Sequence, residues 1–502
     1  MIKLNFEKYK DKVKACWIGK NIGGTIGTPY EGCREYLSVD GFSTPKGTVL
    51  ANDDLDLQLV WLIAVEKLGM KGINSTSLGE FWLSYIGPHW NEYGIGKANM
   101  KAGILPPLSG DYHNAWNNSN GAWIRTEIWA CLQPGRPDVA LEYAIEDAQV
   151  DHGSGEGTYA AAFVASMQSC AFVFDDIRTC IDIALTKIPQ DCRVATTIRK
   201  VIQCYESKMP IREARDTVLN MNADIGDGWF EAPSNVGYTV IGLLYGEGDY
   251  KKSILYAVNC GDDTDCTGAT VGATLGILYG TKGLPQDWVE YIGDNIVSIS
   301  LITGISAGNF AKTCTELTER VVALTPQTVS CRLDWTHTNG GSPKHGDPYV
   351  RVKFTDSDNE IPKNIKERYI SHPRGKEVMA KVRPNTINVE MLLAKAYVTM
   401  LDGIDITPNG ELRVKIEFEH NRDVFGGNAN RLYLRWWLPE GFTVTGKNFV
   451  CLPDWRKTHS ATITEEYVIK AGEKVEAVND VVIEVKFDGR VYRGYIHIPL
   501  MG

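Results

Sequence analysis

The spacing of apolar residues changes once along this 502-residue chain, near residue 325, and the change limits the folds available to it. Before that point apolar residues recur at helical spacing or fill whole segments, as in buried helices. After it, short runs alternate apolar and polar residues, as in strands that bury one face. A chain of this length also exceeds a single hydrophobic core. The sequence therefore predicts a multidomain protein, with an all-α domain at about 1–325 and an all-β domain at about 330–502.

The segments of the first part with the helical pattern are 13–19, 57–66, 159–174, 194–205, 238–245, 253–259 and 267–279. Glycines recur at every fourth position in and directly after the last segment, at Gly268, Gly272, Gly276 and Gly280. A glycine inside a helix costs up to about 1 kcal/mol relative to alanine. We therefore expect this helix to lie at the centre of the helical domain, where another backbone approaches it closely.

The alternating runs of the second part are 349–354, 412–419, 431–438, 481–487 and 492–498, with turn signals at Asn409-Gly410, Gly426-Gly427 and Asp488-Gly489. Short strands with frequent turns are typical of a β-sandwich, and we expect an immunoglobulin-like one. A short helix at about 388–399 is predicted to interrupt or join the strands. A segment at 454–456 is a candidate contact loop.

Composition excludes several classes of function. The net charge is −10 and no basic run stands out, which argues against binding to nucleic acid or to anionic membranes. No stretch approaches the roughly 20 apolar residues of a membrane span, and the first residues carry no secretory signal. The cysteines form no CxxC pair, so a reduced, cytoplasmic location fits better than a zinc site.

Two acidic clusters each begin an apolar helix: Asn52, Asp53, Asp54 and Asp56 in the first, and Asp262, Asp263 and Asp265 in the second. Acidic residues at a helix start cap free amides and complement the helix dipole, which is sufficient to explain one cluster alone. Clustered carboxylates repel each other unless a cation neutralises them. The recurrence of the pattern, without nearby histidine or paired cysteine, favours a site for Mg²⁺, Mn²⁺ or Ca²⁺.

Five motifs occur in a fixed order: the segment 17–31, Asn52-Asp53-Asp54, the segment 120–125, Asp151-His152 and Asp263-Thr264-Asp265-Cys266. In order and spacing they resemble the ADP-ribosylglycohydrolase family, an all-α and metal-dependent fold. The resemblance covers most of residues 10–285. It implies that the first 325 residues adopt this helical fold.

The resemblance also implies two Mg²⁺ (or Mn²⁺) ions, with Ca²⁺ as a further candidate. The implied ligands are Asn52, Asp53, Asp54, Asp263, Asp265 and Cys266. Asn52 and Cys266 stand where the family has threonine, and a thiol is a poor ligand for Mg²⁺. The cysteine therefore suggests an altered geometry, a softer metal or one weakened site. Asp56 and Asp262 are candidates for orienting bound water.

Roles in catalysis and substrate binding follow from the same resemblance. The implied catalytic carboxylates are Glu31, Asp54 and Asp265, and for Glu31 a plain turn role is an equal alternative. The implied substrate-binding residues are Asn120, Gly121, Ala122, Trp123 and His152. A structural role for His152 is equally open, and packing in the core is the default for Trp123.

The function implied by the resemblance is hydrolysis of an N- or O-glycosidic bond to ribose, with ADP-ribosyl adducts as the default substrate. A glycosidase acting on a small non-nucleotide glycoside is an alternative, favoured by Cys266, Trp123 and the accessory β domain. A second alternative is a non-catalytic protein that binds a sugar or ADP-ribose through a metal. The expected partner is thus a small glycoside or an ADP-ribosylated substrate, and the β domain is a candidate surface for homo-oligomerisation.

Overall fold

The structure, a computed structural model, describes residues 1–226, 228–302, 309–329, 350–421, 431–452 and 462–502. The predicted turn at Gly426-Gly427 and the candidate contact loop at 454–456 lie outside these ranges. Within them, none of the helices combines the length and the apolar character needed to cross a membrane.

Helices make up most of the first part of the chain. They are α1 (Phe6–Gly27), α2 (Asp53–Leu68), α3 (Ser75–Tyr85), α4 (Asn91–Lys101), α5 (Leu108–Asp111), α6 (Glu127–Leu132), α7 (Pro137–Ala148), α8 (Glu156–Ala171), α9 (Ile177–Leu185), α10 (Arg193–Glu206), α11 (Ile211–Met221), α12 (Ala232–Tyr245), α13 (Tyr250–Asn259), α14 (Thr264–Tyr279), α15 (Gln286–Ile292) and α16 (Cys314–Thr328). All the helical segments predicted from the spacing fall on these helices, which confirms the helical character of this part.

The glycine-rich helix α14 packs directly against α1. A Cβ atom on Gly23 would lie 2.0 Å from the carbonyl oxygen of Gly268, and one on Gly19 would lie 2.2 Å from that of Gly272. Real Cβ atoms do not come this close to backbone atoms, so only glycine fits at these positions. The predicted close approach is confirmed, and it fixes the start of α14 beside the end of α1.

The second part is built mainly of strands, and two short helices, α17 (Ile365–Ser371) and α18 (Arg374–Met379), lie between its first strand and the others. One strand, β1 (Ile2–Asn5), precedes α1, and those of the second part are β2 (Val352–Thr355), β3 (Thr386–Glu390), β4 (Ala394–Met400), β5 (Glu411–His420), β6 (Arg431–Trp437), β7 (Thr443–Thr445), β8 (Phe449–Cys451), β9 (Ile463–Lys470), β10 (Val478–Phe487) and β11 (Arg493–Met501). Two sheets, β3-β4-β5-β9-β7 and β11-β10-β6-β8, contain only antiparallel pairs.

Apolar side chains from both antiparallel sheets form one hydrophobic core, with Ile416 from one sheet and Ile483 from the other fully buried in it. The predicted fold class, a helical part followed by an all-β part, is therefore confirmed. The immunoglobulin-like type of sandwich stays a prediction.

The predicted helix at 388–399 is wrong, because these residues form β3 and β4. Ala394, Ala396, Val398 and Met400 point into the core, and the residues between them are partly exposed. Alternation of this kind requires a strand. The pairing of β4 with both β3 and β5 outweighs the helix propensity of the sequence.

Part of the segment after residue 349 packs with the helices. β2 pairs in parallel with β1, which directly precedes α1. Tyr369 is fully buried in the core of the helical part, and its carbonyl oxygen accepts a hydrogen bond from Lys187. The predicted domain boundaries stay a prediction, and this packing favours a boundary near the start of β3.

The β part also contacts the helical part beside the substrate loop predicted at 120–125. Ile104 and Leu108 are buried in the core of the β part, and the hydroxyl of Tyr112 donates to Asp405 across 2.8 Å. These contacts hold the chain that leads from α4 and α5 into that loop.

Candidate metal centre

Both predicted acidic clusters lie at helix starts that face each other. The Asn52 side chain caps α2 by accepting a hydrogen bond from the amide of Asp54 at 2.7 Å. Asp263 precedes the first residue of α14, and Asp265 lies in its first turn. Both sets of carboxylates are thus close to the positive end of a helix dipole. The helix starts bring the two clusters together, although about two hundred residues separate them in the sequence.

Among the described residues, three groups of potential ligand atoms meet, and two of these groups lie at the acidic clusters. In one, Glu31, Asp263 and Asp265 offer atoms that all lie within 4.8 Å of one another. In the other, Asp54, Asp265 and Cys266 do the same. Asp265 belongs to both groups, so the predicted catalytic residues Glu31, Asp54 and Asp265 occupy one continuous site.

The acidic cluster at the start of α14 consists of Asp262, Asp263 and Asp265, and we call it the α14 cluster. It has buried oxygen atoms that lack a hydrogen-bond donor among the described residues. Oδ1 of Asp263 and Oδ1 of Asp265 have none among the described residues, although the two side chains are only 4% and 5% exposed. The other oxygen of Asp263 accepts from the Asn120 amide at 2.7 Å. A buried carboxylate oxygen without a partner is costly, and a divalent cation supplies the missing partner. The residues therefore fit a hard cation.

Charge repulsion in the α14 cluster also favours binding of a cation. Burial raises the pKa of Asp265, and the negative charges of Asp263 and Glu31 add to the shift. Burial also raises the pKa of Asp263, with a further contribution from Glu31. Without a cation the cluster resists full ionisation, and a cation would reverse this tendency.

In the cluster at the start of α2, by contrast, Asp53 and Asp54 have donors, although Oδ1 of Asp56 has none among the described residues. Asp54 accepts a hydrogen bond from the Lys20 ammonium on one oxygen and from the Cys266 thiol on the other, both at 3.2 Å. Asp53 accepts from the hydroxyl of Tyr93 at 2.9 Å. Burial raises the pKa of Asp54 above its usual range, and the Lys20 charge opposes that shift.

Lys20 was not singled out by the sequence analysis, although it is fully buried beside the site. Its ammonium also donates to Glu127 at 3.1 Å and to the carbonyl of Ile124 at 2.6 Å. Burial alone would lower the pKa of Lys20, but the charges of Glu127 and Asp54 outweigh that effect and raise it. The available signal was a lone charge in the apolar, glycine-rich stretch of α1.

Two of the predicted metal ligands already have other partners. The Asn52 oxygen caps α2, and the Cys266 thiol donates to Asp54. Burial raises the pKa of Cys266 well above its usual range, and the neighbouring aspartates add to the shift. A neutral thiol is a poor ligand for Mg²⁺. Their roles as ligands stay a prediction.

The predicted substrate loop lies beside the α14 cluster with its side chains turned inward. The side chains of Ala122 and Trp123 are buried, and the Trp123 indole donates to the oxygen of Asn120 at 3.0 Å. A Cβ atom on Gly121 would lie 2.1 Å from a Glu92 carboxylate oxygen. Asn120 therefore links the loop to Asp263, while Trp123 supports the loop from the core.

His152 is fully buried behind the same loop. Its Nδ1 lies 2.9 Å from a carboxylate oxygen of Asp151, and its Nε2 lies 3.1 Å from the hydroxyl of Ser119. Arg125 donates to Asp151 and to Asp147 at 2.8 and 2.9 Å. This placement favours the structural alternative for His152, and its contact with substrate stays a prediction.

The two remaining acidic residues hold loops in place. Asp56 accepts hydrogen bonds from the amides of Ile299 and Ser300, each at 2.7 Å. Asp262 accepts from the amide of Phe230 at 3.2 Å and from the side chain of Asn235 at 3.0 Å. These contacts give both residues a structural role in shaping the site.

Comparisons with known proteins identify one family and two similar proteins. The profile of the ADP-ribosylglycohydrolase family matches residues 5–327. A 49-residue segment is 39% identical to the ADP-ribosylarginine hydrolase Tri1 of Pseudomonas putida (strain GB-1), and covers 10% of this chain and only 13% of that protein. A solved structure of an ADP-ribosylglycohydrolase-related protein complex aligns with a TM-score of 0.42 and 18% identity, over 64% of this chain and 99% of its own.

The family match begins just before α1 and ends within α16, so it includes both acidic clusters and the loop that links to them. It covers more than half of the chain. This chain therefore belongs to the ADP-ribosylglycohydrolase family.

Proposed function

We propose that this protein is a metal-dependent hydrolase that cleaves an N- or O-glycosidic bond to ribose in an ADP-ribosyl adduct. Membership of the family supports the reaction class. The observation that carries the proposal is the pair of buried, unpartnered oxygens of Asp263 and Asp265 beside Glu31. A ribose offers adjacent hydroxyls to a cation held there, and Glu31 lies at the exposed side of the group.

The acidic residues of the site would have two different roles in hydrolysis. Asp263 and Asp265 would hold the cation, which would supply polarisation of the ribose hydroxyls and of a nearby water. Glu31 accepts a proton from that water as its oxygen bonds to the anomeric carbon and the bond to the leaving group breaks. The leaving group takes up a proton from solvent. Burial raises the pKa of Glu31, with a contribution from the Asp53 charge, and a raised pKa suits a general base.

The alternative, a glycosidase for a small non-nucleotide glycoside, is favoured by one feature. Arg125, the only cation of the loop at 120–125, is fully buried and bound to Asp147 and Asp151. Its guanidinium is therefore committed to carboxylates and does not face a pyrophosphate. A substrate with less negative charge would suit such a loop better.

A hydrolysis assay separates the two substrates. The full-length protein would be incubated with ADP-ribosylarginine and, separately, with aryl glycosides, in Mn²⁺ or Mg²⁺ and after chelation. Metal-dependent release of ADP-ribose supports the main proposal. Turnover of an aryl glycoside without any release of ADP-ribose supports the alternative and overturns the main proposal.

A test variant and a matched control variant make the assay specific. Asp265→Asn removes a cluster carboxylate, so it should abolish metal-dependent release. Asp176→Asn changes an aspartate that caps α9 on the protein surface, and should leave release unchanged, since asparagine caps equally well. Metal binding without turnover of any substrate would contradict the proposal of an enzyme and favour a binding protein.

Two further proposals concern location and assembly. The described cysteines are free thiols, which supports a reduced, cytoplasmic location. On the β6-β8 side of the four-stranded sheet, the aromatic side chains of Tyr433, Trp437 and Phe449 are exposed, which supports homo-oligomerisation through the β part. Size-exclusion chromatography with light scattering would test the second proposal.

A further inference from the structure

The two groups of potential ligand atoms at the acidic clusters differ in the hydrogen-bond donors and positive charges that already contact them. In the group of Glu31, Asp263 and Asp265, two buried oxygens have no donor among the described residues. Asp263 and Asp265 are each more than nine-tenths buried, so the missing partner is not bulk water. Among the described residues, no cationic side chain forms an ion pair with Asp263 or Asp265.

The group of Asp54, Asp265 and Cys266 already contains a cation. The Lys20 ammonium lies 3.2 Å from one oxygen of Asp54, and the Cys266 thiol lies 3.2 Å from the other. Lys20 is also held by Glu127 at 3.1 Å and by a backbone carbonyl. Three acceptors therefore fix the ammonium in place, and both Asp54 oxygens have a donor.

A divalent cation bound to Asp54 would meet this ammonium at short range. Both would be bound to the same carboxylate, in a region without solvent screening, so they would repel each other strongly. Lys20 has no exposed route away from the site, because the side chain is 1% exposed and bound to Glu127. The Lys20 ammonium and a second divalent cation therefore compete for the same position beside the Asp54 carboxylate.

We propose that the site holds one divalent cation, bound by Asp263 and Asp265 beside Glu31, and that the Lys20 ammonium takes the place of a second cation beside Asp54. The inference rests on the proposed metal-dependent function and deepens it. It assigns Lys20 as a built-in positive charge of the site. It also explains why cysteine is tolerated at position 266, where only a hydrogen bond to Asp54 is required.

The first test is the stoichiometry of Mn²⁺ on the full-length protein, measured by equilibrium dialysis and by electron paramagnetic resonance. We expect one tightly bound Mn²⁺ per chain and the six-line spectrum of an isolated ion. Two tightly bound ions, with the spectrum of a spin-coupled pair, would overturn the inference.

The second test removes the ammonium. Lys20→Met keeps most of the length of the unbranched side chain, and leaves Asp54 and Glu127 without their cation. We expect this variant to bind a second Mn²⁺, so that the ratio of metal to protein rises from one to two. The matched control is Lys12→Met on the same helix, because Lys12 donates to the carbonyl of Ala171 rather than to a carboxylate of either cluster, and should keep a ratio of one.

The outcomes separate this inference from the proposed function. A protein that hydrolyses its substrate with two ions bound would retain the proposed function and lose the inference. A protein that binds no Mn²⁺ would lose both. If Lys20→Met does not fold, the ratio measured on the unaltered protein still decides between one ion and two.

Discussion

The two acidic helix starts of this site balance their negative charge in different ways. At the start of α2, the chain itself supplies the partners: Lys20 and Cys266 for Asp54, and Tyr93 for Asp53. At the start of α14, buried oxygens of Asp263 and Asp265 have no partner among the described residues. Similar sequence patterns thus produce one cluster in which Asp53 and Asp54 have donors within the protein, and one in which two buried carboxylate oxygens have none among the described residues.

The difference shows what an acidic motif alone leaves open. A carboxylate at a helix start can be neutralised by a lysine from another helix or by a metal ion. Only the three-dimensional contacts separate these cases. Substitutions in the two clusters should therefore act in opposite directions on the stability of the metal-free protein, and only one cluster should control metal binding.

The largest expected effect is on turnover. Asp265→Asn removes a ligand from the unpartnered cluster, and cation chemistry contributes several kcal/mol to hydrolysis, so activity should fall about 1,000-fold or more. The rate would be measured at saturating Mn²⁺, with Asp176→Asn as the control. Near-normal turnover in a folded Asp265→Asn protein would remove the distinction between the clusters.

A large loss of stability is expected in the cluster at the start of α2. Asp54→Asn breaks a buried ion pair and leaves Lys20 with Glu127 as its one ionic partner among the described residues, which should cost about 3 kcal/mol of unfolding free energy. Denaturant unfolding in the presence of a chelator would measure it. An unchanged midpoint would mean that Lys20 does not depend on Asp54.

The sequence predicts the acidic helix starts but not their partners. Asp53, Asp54, Asp263 and Asp265 were identified because each pattern is local and begins an apolar helix. Lys20 was missed because its partners lie far along the chain, and nothing in the local sequence points to them. Local motifs are visible in a single sequence, whereas long-range ion pairs are not.

Local sequence also does not determine the secondary structure of every segment or the burial of every motif residue. Residues 388–399 have a helix-forming composition, yet pairing with β5 makes a strand of their second half. Trp123 and His152 lie in recognisable motifs, but a motif does not state whether a side chain faces the cleft or the core. Both prove to be fully buried.

A smaller effect of opposite sign is expected in the unpartnered cluster. Asp263→Asn removes one of several mutually repelling charges, and its amide can donate to Asp265, so the chelated protein should gain about 2 kcal/mol of unfolding free energy. In Mn²⁺ at 100 times its dissociation constant, the unaltered protein should gain about 2.7 kcal/mol that the variant lacks. If Asp263→Asn were less stable than the unaltered protein in chelator, the result would contradict the finding that the buried oxygens of Asp263 and Asp265 have no partner among the described residues.

The smallest expected effect tests whether the cation depends on the α2 cluster. Tyr93→Phe removes the hydrogen bond to Asp53, which should cost about 1 kcal/mol of unfolding free energy both with Mn²⁺ and with a chelator. Tyr85→Phe is the control, since the Tyr85 hydroxyl accepts only from Lys67 at the surface. Because Asp53 lies outside the group that holds the single cation, the dissociation constant for Mn²⁺ should stay within about twofold. A tenfold change would show that Asp53 contributes to the metal, and that the two helix starts act as one site.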